Sequence, residues 1–123
     1  MLSESPLIAF LATAQPERSR TFYQDALGLK LLADEPVALV FDAAGTTLRV
    51  SKVPAVAPAP YTVLGWQVDD MAATVAELAA KGVAFERYEG FVQDEAGVAT
   101  LAGARVAWFK DPDGNLLSLT QFD

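Results

Sequence analysis

The side chains able to do chemistry in this chain are few in kind: 16 carboxylates and 9 Lys or Arg, with no histidine and no cysteine among 123 residues. Histidine is the commonest metal ligand and the usual general base near neutral pH, so its absence removes much familiar catalysis. Without cysteine there is no disulfide scaffold, no thiolate zinc site and no cysteine nucleophile. The formal charge of −7 disfavours phosphate backbones and anionic membranes, which argues against nucleic acid or a membrane as partner. Asp111, Asp113 and Gly114 echo a calcium loop. Such a loop places glycine sixth and glutamate twelfth, whereas here Gly114 is fourth and Phe122 twelfth, so calcium is not expected.

The same DPDGN stretch is better read as a turn. Pro112 presets φ, Asp113 and Gly114 tolerate turn geometry, and Asn115 can bond back to the backbone, which predicts a hairpin over residues 108–121. Working forward from the start of the chain, residues 8–12 read as a strand, and Pro16 suits a first helical turn. Phe22, Tyr23, Ala26 and Leu27 then recur at helical spacing up to a Gly28 cap. Strands are predicted at 30–33, 37–42 and 47–52. Three prolines in residues 54–60 make a semi-rigid extended connector.

The pattern then restarts. Residues 62–68 form a strand, Asp69 or Asp70 caps a helix with Met71, Val75, Leu78 and Ala79 on one face, and Gly82 ends it. Strands at 83–88, 104–110 and 116–121 complete a second βαβββ unit. Ile8 and Val63 are 55 positions apart and Gly28 and Gly82 are 54 apart, which is an internal repeat. By the fourth strand the offset reaches 69, between Arg49 and Ser118, so the second copy holds about 14 extra residues within 89–103. That segment is either a solvated loop or the lid of a cleft.

Length and a 52% hydrophobic composition fit one domain, residues 1–123, with modules at 5–53 and 61–123 joined by 54–60. Residues 7–12 superficially resemble a secretory core, but Glu4 stands where a basic residue is needed and the apolar run is short, so a first core strand is the better reading. No run approaches the roughly 20 apolar residues of a membrane span. The expected location is cytoplasmic.

Two βαβββ units, the FY-x3-LGL stretch at Phe22 to Leu29 and the closing DPDGN hairpin together resemble the vicinal oxygen chelate superfamily of glyoxalases, dioxygenases and bleomycin-resistance proteins. The resemblance implies an α+β fold of two tandem βαβββ modules, a curled mixed sheet around a cleft with helices on the outer face. It also implies a homodimer. Metal-dependent members carry one ligand on each of four strands, and the matching positions here are Ile8, Arg49, Val63 and Ser118. Two lack donor atoms, one is a permanent cation and one a neutral hydroxyl, so neither a metal nor any other cofactor is expected.

Strand alternation places Phe10 on the face of Ile8, and Gln67 on the face of Val63. The expected ligand-binding set is therefore Ile8, Phe10, Arg49, Val63, Gln67, Trp108 and Ser118. Trp108 belongs to it if it lies opposite Ser118; a shift of one residue would put Phe109 there instead. Arg49 either pairs with a nearby carboxylate or anchors an anionic or carbonyl-bearing ligand. Trp66 falls on the opposite face, as core. No catalytic residue is assigned: Ser118, Thr120, Ser51 and Thr47, with Tyr61 nearby, have no histidine to activate them, which leaves Asp94 and Glu95 as acid or base candidates. The leading expectation is a metal-independent module that binds a small apolar or aromatic molecule for sequestration or sensing. The alternatives are a metal-independent lyase, isomerase or hydrolase, and a protein with a vestigial cleft.

Overall fold

A computed structural model describes all 123 residues. The chain divides into two compact units, Met1–Ala57 and Pro58–Asp123, so the break falls inside the proline-rich connector. Each unit holds one four-stranded mixed sheet and helix, and together they are the two tandem modules of an α+β fold.

In the first unit β1 (Ile8–Thr13) leads into α1 (Pro16–Thr21), with Pro16 in the first turn, where no amide is needed. The buried Thr13 hydroxyl receives bonds from the Gln15 amide (3.0 Å) and the Ser19 hydroxyl (2.7 Å), which ties strand end to helix start. The helix widens over Phe22–Ala26, where Leu27 N–H donates to the Phe22 carbonyl five residues back. Tyr23, fully buried, meets Phe41 with ring centroids 5.7 Å apart. β2 (Lys30–Asp34), β3 (Ala38–Ala43) and β4 (Thr46–Lys52) complete the sheet in the order β1-β4-β3-β2, with only β1 and β4 parallel. Leu11, Leu39, Phe41, Leu48 and Val50 form the core on one face.

The second unit repeats the plan with a change. β5 (Leu64–Gln67) precedes α2 (Met71–Ala80), whose start is capped by the Asp70 carboxylate accepting from Ala73 N–H at 3.0 Å and by the Gln121 carboxamide oxygen accepting from Met71 N–H at 2.7 Å. Met71, Val75 and Leu78 are the buried face of α2. β6 (Ala99–Leu101), β7 (Ala104–Lys110) and β8 (Leu116–Phe122) join β5 in the order β5-β8-β7-β6.

The strand expected at 83–88 is reduced to one bridge, Phe85 with Phe109, supported by Glu86 N–H donating to the Trp108 carbonyl at 2.8 Å. The outer edge of β7 is instead shared. Its start pairs with β6 through a tight turn at Ala102 and Gly103, a local hairpin that the extra residues make possible. Part of the segment expected as a loop or lid is therefore sheet.

The DPDGN turn is organised by Asp111. One of its carboxylate oxygens accepts from the Asp113 and Asn115 amides, both at 2.9 Å, and the other accepts from the Asn115 carboxamide at 2.8 Å. Asp111 and Asn115 are both buried, so this carboxylate is committed to the turn.

Candidate functional site

The turn fixes the β7–β8 register, with Trp108 opposite Ser118 and Phe109 opposite Leu117. β5 continues the row, since Gly65 is in register with Ser118. A side chain at 65 would force the Ser118 hydroxyl to move, since its Cβ would lie 2.8 Å from Ser118 Oγ. The second sheet thus has a tight Gly65–Ser118–Trp108 row on one face. The other face carries the buried Ala107, Phe109, Leu117 and Leu119, with Trp66 stacked on Phe109 at 6.4 Å.

Above Trp108 the chain builds an aromatic wall. Tyr88 meets the indole edge-on at 5.4 Å with 76° between planes, and Phe91 meets it at 5.0 Å and 54°. These rings, with Tyr61, Leu116 and the prolines Pro58 and Pro60, line a cavity of about 680 Å³. Gly114 lies at φ +87°, and a Cβ there would come within 3.2 Å of Pro58 Cγ, so glycine lets the connector close against the turn. The cavity lies wholly within the second unit.

Phe91 is held in place by its loop. The Gln93 carboxamide oxygen accepts from Tyr88 N–H at 2.8 Å, while its nitrogen donates to the Glu86 and Gly97 carbonyls at 2.9 and 2.8 Å. Arg87 donates to the Asp94 and Gln93 carbonyls, and one Asp94 carboxylate oxygen accepts from the Ala96 and Val98 amides. Asp94, an acid or base candidate by sequence, is thus employed in shaping its own loop.

The one cation of the lining is Lys110, whose ammonium lies 3.3 Å from a Glu86 carboxylate oxygen. Burial pushes the Tyr88 phenol above its ordinary value; Glu86 adds to the rise and Lys110 opposes it.

Of the residues expected to bind ligand, Trp108 lines this cavity. Ser118 and Gln67 lie along the same sheet face, Ser118 buried and Gln67 exposed opposite Thr120. Val63 is exposed just ahead of β5, with its N–H on the Leu116 carbonyl at 3.0 Å. Ile8, Phe10 and Arg49 belong to the first sheet, where Phe10 is in register with Arg49 and both apolar side chains are exposed. The Arg49 guanidinium donates to the Glu35 carboxylate at 2.9 Å, the pairing alternative foreseen for it. Neither unit offers a fit for a metal ion at these positions, and the chain has no group of three or more acidic side chains placed to hold one. Tyr88 and Phe91 were not singled out from sequence as site residues, and Pro58 and Pro60 only as part of the connector. Their one visible signal was Phe91, an aromatic residue stranded in a polar, glycine-containing stretch.

The model of the Glyoxalase/Bleomycin resistance protein/Dioxygenase superfamily matches residues 7–119. No curated protein matches the sequence. Among solved structures, an antibiotic binding protein from Streptomyces sp. CB03234 is similar at 28% identity and a TM-score of 0.79, covering 100% of this chain and 99% of its own. A glyoxalase/bleomycin resistance protein from the same organism is similar at 29% identity and a TM-score of 0.71, over 95% of this chain and 100% of its own. A lactoylglutathione lyase from Agrobacterium tumefaciens, at 16% identity and a TM-score of 0.69 with 98% of each chain covered, shares the fold.

Proposed function

Because this chain belongs to the glyoxalase/bleomycin resistance/dioxygenase superfamily, whose fold serves both catalysis and simple binding, we propose that it is a metal-independent binding protein for a small aromatic or apolar molecule, used for sequestration or sensing. The observation that carries this reading is the cavity of about 680 Å³ walled by Trp108, Tyr88 and Phe91. That volume falls in the range of small-molecule sites, which are typically apolar and aromatic with few polar groups. The similarity to an antibiotic binding protein supports it. Catalysis has less support, since the cavity lining offers Tyr61, Thr62, Tyr88 and Lys110 as its polar side chains and no carboxylate. Anchoring of an anion by Arg49 would require displacing Glu35.

Tryptophan fluorescence tests the reading. The chain has two tryptophans, so in a Trp66→Phe background the emission reports Trp108 alone. Acridine, a flat neutral aromatic, should quench it saturably. By calorimetry, Trp108→Leu should weaken acridine binding by about tenfold, the worth of one well-stacked aromatic contact. Unaltered affinity in Trp108→Leu would refute the site.

A further inference from the structure

We propose that the ligand carries an uncharged hydrogen-bonding group beside its ring, and that Ser118 is the residue that selects it; the inference rests on the binding reading above and specifies its ligand class. The starting observation is a hydroxyl with nothing to bond. Ser118 is 8% exposed, yet its side-chain oxygen makes no hydrogen bond within the protein. Buried hydroxyls are nearly always paired, because the bonds they gave up to water are otherwise not replaced. No side-chain nitrogen or oxygen of the chain is both sealed from the surface and unpartnered, so the Ser118 oxygen keeps an opening to the outside.

Gly65 supplies that opening. It is in register with Ser118 on the neighbouring strand, it is exposed, and a Cβ there would stand 2.8 Å from Ser118 Oγ. The hydroxyl therefore leans into the space that the missing side chain leaves.

Its position ties it to the cavity. On the same sheet face Trp108 lies directly across from Ser118 on β7, and Leu116 lies two residues before it on β8; both line the cavity. On the other side the next row holds Gln67 and Thr120, whose side chains also make no bond within the protein. The face thus passes from aromatic and apolar at the cavity to polar beyond it, with the buried hydroxyl at the boundary. Neither the Gly65–Ser118–Trp108 row nor the Gln67–Thr120–Val106 row contains a charged residue. Such a hydroxyl favours a neutral group that gives or takes one hydrogen bond. An apolar group of the same shape would strip its water and return nothing.

The test compares acridine-9-carboxamide with 9-isopropylacridine, which has the same outline and no hydrogen-bonding arm, by calorimetry in mildly alkaline buffer where both are uncharged. Burial alone favours the isopropyl compound, so tighter binding of the carboxamide reports the hydrogen bond. The carboxamide should bind about fivefold more tightly. Ser118→Ala, which removes the oxygen and keeps the Cβ, should bring the ratio to one or below. Gly65→Ala, whose methyl group pushes the hydroxyl aside, should also lower it. Equal or tighter binding of the isopropyl compound to the parent protein overturns the inference while leaving the acridine site standing. A ratio unchanged in both variants overturns it as well. Failure of acridine and both derivatives to bind refutes the site and the inference together.

Discussion

Tyr88 is the residue at which burial and charge act together on the site. Its phenol is raised first by desolvation and then by Glu86, against the opposing Lys110. A phenol whose folded value lies above its unfolded one contributes stability that is present below about pH 10 and is lost as pH rises through the folded value. Tyr88→Phe cannot ionise, so the stability difference between variant and parent should move in the variant's favour as the pH passes about 10. Urea unfolding on both sides of that pH would show it, and a constant difference would contradict the placement of Tyr88 against the wall. Trp108 was partly legible in sequence, because strand parity left two registers and the tight DPDGN turn selects one of them. Tyr88 and Phe91 were not legible, since their place depends on where Gln93 finds backbone partners, which local pattern does not encode.

At the scale of elements, the segment from Tyr88 to Val98 acts as a clamp with an aromatic tip. Three bonds from one carboxamide join its two arms, so Gln93 positions Phe91 without lining the main cavity. Gln93→Ala would leave an amide and two carbonyls seeking water, at a cost of about 1–3 kcal/mol. Acridine should then bind several-fold more weakly and the near-ultraviolet circular dichroism of Trp108 should diminish. Gln93→Glu, which can accept from Tyr88 but cannot donate to the carbonyls, should not restore either signal. Retention of both by Gln93→Ala would show that Phe91 is held by other means.

The two βαβββ units were legible from capping residues and a period of 54 to 55. The exception is the first strand after α2, where two segments compete for one edge of β7. Val83, Phe85 and Tyr88 favoured a strand over 83–88, but the hairpin formed by β6 and β7 closes a much shorter loop. What separates the two pairings is loop length, which a strand-by-strand reading of the sequence does not weigh.

At the scale of the whole chain, two units of related fold have diverged in chemistry. The first carries its central cation, Arg49, in an ion pair with Glu35; the second carries the aromatic cavity and most of the negative charge. No helix is long and apolar enough to cross a membrane. The most direct measurement of the binding claim is an amide and indole chemical-shift map of the uniformly nitrogen-labelled protein titrated with acridine. The largest shifts are expected at the Trp108 indole and at the amides of Tyr61, Tyr88, Phe91 and Gly114, saturating together with a single dissociation constant. Shifts centred on Ile8, Phe10 and Arg49 instead, or small and unsaturable shifts scattered over both units, would contradict it.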